Sequence, residues 1–368
     1  MIKMNFRTLD IAGGWIAFII ATFTYVSTME PTVSFWDCGE FIACAYKLQV
    51  GHPPGAPLFL MIGRFFSMWT APDQAAYMVN LISALSSSFT ILFLFWTISA
   101  LARKILNKTS KEWNMGKTVA VIGSSMVGAL AYTFSDTFWF SAVEAEVYAM
   151  SSLFTAIVFW GILRWERVSE EPGADRWLIF IAYMMGLSIG VHLLNLLAIP
   201  AIAFVFYFKK FKPTLKGIGV TGAVSILILG FVQKGVIPGL VTMSGKFELL
   251  FVNSLGLPFN SGAFIHVILL LAAVVYGLML THQTGDRKWK MMGVLVAITL
   301  LVASFSTLGL AVAAVIVGIF VMVPNISDRA INTGLLCISV ILIGYSSYTM
   351  VLVRSNANPP LDENNPEN

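Results

Sequence analysis

The chain has 368 residues, 57% of them hydrophobic and 11% charged, with a net charge of +4 and a mean hydropathy of +0.81. A globular domain carries about 25% charged residues, so most of this chain lies in lipid and a water-soluble fold is excluded. Its three cysteines, Cys38, Cys44 and Cys337, offer neither a disulfide framework nor metal-ligand spacing.

Lys3 and Arg7 precede a long apolar run with no small-residue cleavage site after it, so the run reads as a retained span, not a signal peptide. Runs able to cross a core of about 30 Å fall at 11–29, 78–101, 118–135, 147–163, 177–192, 194–208, 215–233, 263–281, 291–306, 308–323 and 331–350. The expected fold is an all-α polytopic membrane protein of about eleven helices, residues 1–353, followed by a polar extracytoplasmic tail, 354–368. That tail reads either as a disordered terminus or as the start of a soluble region. With the N-terminus in the cytoplasm, 18 of the 23 basic residues fall on the cytoplasmic side, leaving Lys47, Arg64, Lys234, Lys246 and Arg354 outside. This positive-inside asymmetry predicts an inner (cytoplasmic) membrane protein with its C-terminus outside. The basic residues sit at span ends as topology requires, so no nucleic-acid-binding patch is expected. There is no internal repeat and no phosphate-binding glycine loop, and Gly13-Gly14 reads as span packing.

The longest connection among these spans runs from Glu30 to Tyr77, 48 residues, and it carries the chemistry. In Phe35-Trp36-Asp37-Cys38-Gly39-Glu40-Phe41 the two acids are three apart and share one face of a helix expected over 36–48. Each acid costs roughly 3 kcal/mol inside hydrocarbon, so both belong at or outside the interface. They read either as catalytic carboxylates or as caps of a short interfacial helix. Gly51-His52-Pro53-Pro54-Gly55 ends that helix, and residues 56–70 form an interfacial or re-entrant helix with Trp69 at headgroup depth and Arg64 snorkelling or facing a cavity. Cys38 and Cys44 read as small apolar fillers.

Further on, Asp136, Glu144 and Glu146 form a second external acidic group. Glu144 and Glu146 are explained equally by the positive end of the next helix and by a shared cleft with Asp37 and Glu40. His192, where two spans meet, reads more readily as a hydrogen-bonded helix-end residue than as a ligand. The stretch 234–262 is expected to be a loop holding a short amphipathic helix near 244–252.

The Asp-Cys-Gly-Glu stretch, the Gly51-to-Phe59 segment, Glu144 with Glu146, and Arg354 to Pro360 together resemble one family. It is that of the bacterial relatives of the transmembrane-protein-260-like protein O-mannosyltransferases, in the glycosyltransferase C superfamily. The resemblance implies transfer of a sugar, mannose, from a polyprenyl-phosphate donor to Ser or Thr hydroxyls of exported acceptor proteins on the extracytoplasmic face. It implies a catalytic acid in the first external loop, with Asp37 the first choice for base and Glu40 its partner. Better-known members carry an adjacent Asp-Glu pair, whereas Cys38-Gly39 separates the acids here, so the resemblance does not decide between them. The leaving lipid phosphate asks for cations or N–H donors, for which Arg354 is preferred, with His52 and Arg64 behind it. Each also has a plainer role: topology flanking, turn stabilisation and snorkelling, respectively. Glu144, Glu146 and His192 complete the set of substrate-binding residues. No cofactor is expected; Mg²⁺ or Mn²⁺ held by Asp37, Asp136, Glu144 and Glu146 is compatible with the composition, but no ligand spacing demands it. The alternative function is a transporter or lipid-linked-substrate flippase using the same acids for binding.

Overall fold

A computed structural model describes residues 5–109, 113–285, 287–323 and 327–364. Lys3, Lys111 and the end of the tail, 365–368, lie outside the described residues. The chain is helical throughout, and the described residues divide into two compact units, 1–198 with 340–368, and 199–339.

The first unit opens with α1 (Phe6–Thr28), whose N-terminus is capped by the Asn5 side chain. The connection after α1 then holds α2 (Cys38–Lys47) and α3 (Pro57–Ser67) before the long α4 (Ala75–Thr109). α5 (Met115–Thr133) and α6 (Asp136–Ala142) follow, bent by 68° at their junction. α7 (Val147–Val168) and α8 (Asp175–Ile189) complete this part of the bundle. α4 is the central post, packed on α1, α5 and α7. Glycine makes the α1–α4 approach close: a Cβ built on Gly13 would lie 2.6 Å from Phe95, and one on Gly14 2.6 Å from the Trp96 indole. That is the span packing expected of this pair.

The second unit contains α9 (Ile199–Lys210), α10 (Leu215–Phe231), α11 (Ile237–Glu248), α12 (Ser261–Thr281), α13 (Lys288–Ala303), α14 (Thr307–Met322) and the first part of α15 (Asp328–Tyr345). α16 (Thr349–Ser355) belongs to the first unit. Here the structure departs from one expectation. Residues 215–254 form one helical run of 40 residues, so the predicted loop at 234–262 shrinks to the turn after Ser254. Pro238 lacks the N–H that would bond back along the run, and the π-helical segment Val232–Val236 just before it absorbs that irregularity, as Leu249–Ser254 does at the far end.

All eleven predicted windows fall on helix to within about a turn. Seven helical runs are long and apolar enough to cross a membrane, or eight if α5 and α6 form one bent span. This defines an all-α multi-pass membrane protein. α8, α13 and α14, with 15, 16 and 16 residues, are shorter, about 22–24 Å at 1.5 Å per residue.

The site rests on a core of Phe41, Cys44, Phe59, Leu60, Val79 and Phe154, which joins α2 and α3 to α4 and α7. Burying such side chains contributes roughly 1.5–3 kcal/mol each, which anchors the connection between α1 and α4.

Candidate active site

The Asp37–Glu40 spacing places both acids at the start of α2. Asp37 occupies the N-cap position but its side chain makes no capping hydrogen bond, and it is exposed. Glu40, in the first turn, reaches the following loop: its carboxylate oxygens lie 3.0 and 2.9 Å from His52 Nδ1, and Oε1 accepts the His52 backbone N–H at 2.6 Å. Capping therefore accounts for neither acid through hydrogen bonds. Gly51 is required for this clamp, since a Cβ there would come within 2.5 Å of Glu40 Oε1. Glu40 raises the His52 pKa through that hydrogen bond; Asp37 and Glu363 add to the effect. Asp37, Glu40 and His52 bring one donor atom each to within 4.8 Å of one another. A divalent ion entering there would have to break the contact between His52 Nδ1 and Glu40. Asp136, Glu144 and Glu146 form no comparable ligand group among the described residues.

The second acidic group lies deeper. Glu144 is 3% and Glu146 6% exposed. Glu144 Oε2 accepts the Ser34 hydroxyl at 2.6 Å, and Cys38 Sγ lies 3.8 Å from Glu146 Oε1. Burial pushes the Glu146 carboxyl up to about 7, with Asp37 and Glu144 charges adding to it. A helix N-terminus would lower it, so burial and like charge outweigh the dipole here. Burial and the same two glutamates also raise the Cys38 thiol well above its usual range. Cys38 is thus a buried filler, as expected, that also touches a carboxyl group. Sequence reasoning missed Ser34 as the Glu144 partner, and also Asn80, whose Nδ2 donates to the Glu30 and Thr32 carbonyls at 2.7 and 2.9 Å and ties the loop's start to α4. An Asn inside an apolar helix was the available signal for the second.

The other expected residues sit at the margins. Arg64 Nη1 donates to the Tyr46 carbonyl, with the guanidinium 5.7 Å from the Tyr46 ring centroid. Arg354 Nε donates to the Leu48 carbonyl at 2.6 Å, at the left-handed C-cap of α2. His192 Nδ1 accepts the Leu194 N–H at 3.1 Å, its ring is 5.3 Å from Tyr148, and burial lowers its pKa. This is the hydrogen-bonded helix-end arrangement. Among the described residues no arginine or lysine forms an ion pair with Asp37, Glu40, Glu144 or Glu146. His52 is the basic side chain that pairs with the cluster's acids.

The fold and site thus define a multi-pass helical membrane protein that presents an exposed carboxylate beside a His–Glu pair on the loop after its first span. Residues 37–215 match the family model described as the N-terminal domain of the protein O-mannosyl-transferase TMEM260. Similar proteins include protein O-mannosyl-transferase tmem260 of Dictyostelium discoideum, 27% identical over 201 residues, covering 52% of this chain and 22% of the relative. The TMEM260 of Mus musculus is 25% identical over 186 residues, 50% of this chain and 24% of the relative. Over residues 37–215 the chain is thus similar to the TMEM260-like protein O-mannosyl-transferases. It spans less than a quarter of the length of these two relatives. No solved structure matches it.

Proposed function

We propose that this protein is a membrane glycosyltransferase that moves a mannosyl group from a polyprenyl-phosphate donor to a Ser or Thr hydroxyl of an exported protein, on the extracytoplasmic face. Support comes from the family match of residues 37–215 and from one observation of geometry: Asp37 is exposed and free of side-chain hydrogen bonds, while Glu40 is engaged by His52. A carboxylate that must accept a proton needs an open lone pair, so Asp37 is the base and Glu40 the residue that positions His52.

In the reaction, the acceptor oxygen attacks the anomeric carbon as its proton passes to Asp37. The bond from that carbon to the phosphate oxygen breaks, and the lipid phosphate leaves with the electron pair. A positioned base contributes roughly 10²- to 10⁴-fold. Arg354, which keeps its Nη groups clear of protein hydrogen bonds among the described residues, is the preferred phosphate contact, with His52 and Arg64 at the margin. Glu144 and Glu146 are the remaining substrate-binding candidates, and burial, which raises the Glu146 carboxyl, limits the negative charge near a phosphate donor.

The test is transfer of labelled mannose from polyprenyl-phosphate-mannose to a Ser/Thr peptide by purified wild type, Asp37→Asn and Glu40→Gln. Loss of about 10²-fold or more in Asp37→Asn, with a smaller loss in Glu40→Gln and folding intact in both, supports the assignment. Undiminished transfer by Asp37→Asn removes Asp37 as the base.

A further inference from the structure

The segment after α16 crosses back over the loop that holds Glu40. Val50 and Asp362 form a parallel β-bridge. Val50 N–H donates to the Leu361 carbonyl at 3.1 Å, and Glu363 N–H donates to the Val50 carbonyl at 3.1 Å. Asp362 Oδ2 accepts the Ser355 hydroxyl at 2.7 Å, which closes the segment onto the end of α16. Arg354 Nε holds Leu48 two residues before Val50. Leu361 packs against the core under α2 and α3.

Val50 is 1% exposed, so without these bonds its N–H and carbonyl would be buried and unpaired. The next residue is Gly51, which must approach Glu40 closely, and the next is His52, whose backbone N–H and ring both grip Glu40. The anchored carbonyls and the catalytic clamp are thus adjacent on one short stretch of backbone. Asp37 and Glu40 both stand at the start of α2, so a shift of the loop by an ångström would move His52 by a similar amount relative to both and loosen its grip on the Glu40 carboxylate. Glu363 adds a carboxylate that acts on His52 together with Asp37 and Glu40.

We propose that residues 354–363 are a strap that positions the Glu40–His52 pair for transfer at Asp37. This rests on the reading of that cluster as the catalytic site. Apart from Arg354, the preferred phosphate contact, the strap makes no bond to the reacting groups and acts through Leu48 and Val50.

The experiment uses the full chain in detergent. Glu363→Pro removes the N–H given to Val50, and Glu363→Gln keeps it while removing the charge. A staple, Val50→Cys with Asp362→Cys, replaces the bridge covalently, since paired strands lie roughly 4.8 Å apart and disulfides span about 4.4–6.8 Å. The readouts are kcat and donor KM for mannose transfer, and hydrogen exchange of the peptide covering 48–56. Glu363→Pro is expected to raise exchange there and lower kcat by roughly ten- to 100-fold, with donor KM within about twofold. Glu363→Gln keeps the protected amides. The oxidised staple in the Glu363→Pro background restores both readouts, and a reductant reverses the rescue. If Glu363→Pro does not fold, Ser355→Ala, which removes only the bond to Asp362, is read the same way with a smaller effect. Unchanged exchange overturns the strap. Raised exchange with unchanged kcat leaves a structural brace and overturns the positioning role. Transfer absent even in wild type, with exchange behaving as expected, means that the glycosyltransferase reading has failed, and the positioning role falls with it.

Discussion

Replacing Glu146 by Gln tests the buried acid directly, because the substitution keeps the shape and removes the titration. The carboxyl rises from an ordinary 4.5 to about 7, chiefly through burial. A carboxyl raised in the folded state stays protonated there while the unfolded chain has already ionised. Stability from this group is therefore full below about pH 4.5, falls across the interval up to about pH 7, and changes no further above it. Two and a half pH units at 1.36 kcal/mol each give on the order of 3 kcal/mol. With a per-residue unfolding entropy of about 2.1 cal/mol/K, that is roughly 4 °C in melting temperature for a chain of this size. The assay is thermal unfolding in detergent between pH 4 and 8, read as the difference between wild type and Glu146→Gln so that other titrations cancel. The variant is expected to gain on wild type by about that amount as pH rises from 4.5 to 7. Curves that stay parallel across the interval would show that Glu146 ionises as an ordinary surface acid, and the argument from burial would be wrong.

Gly51→Ala is expected to displace Glu40, because the added methyl meets its Oε1 at 2.5 Å; transfer should fall at least tenfold. Retention of full activity in that variant would mean the clamp is dispensable. Gly13→Leu should destabilise the α1–α4 contact by about 1–3 kcal/mol, measured as a lower melting temperature, since even a Cβ meets Phe95 at 2.6 Å. Cys38 and Cys44, both buried, should resist alkylation by a water-soluble maleimide in the folded protein and react after unfolding; prompt labelling of Cys38 would contradict its packing beside Glu146.

Much of this protein is legible along the chain because membrane spans and helix breakers are local signals. Apolar run length located the helices, and Gly51-His52-Pro53-Pro54-Gly55 marked the end of α2 without reference to any distant residue. The Asp37–Glu40 spacing put both acids at the start of one helix. What lies beyond local sequence is which of them is occupied. Glu40 is taken by His52, twelve residues on, and Asp37 is left open, a difference that exists only when the loop closes back on α2. The continuity of 215–254 was hidden because Pro238 and the neighbouring glycines read as breakers, while π-helical segments let the helix run on. The tail read as disordered or as the beginning of something further. Within it, Leu361–Glu363 pairs with Val50, about 310 residues earlier, a contact that no composition encodes because its hydrogen bonds are backbone to backbone and carry no side-chain signature. The sequence by itself located the helices and the acids between the first of them, since hydrophobic length and charge cost act residue by residue. The tertiary structure decided the roles within the cluster and the strap that holds it, since both depend on which buried polar groups find partners across the fold.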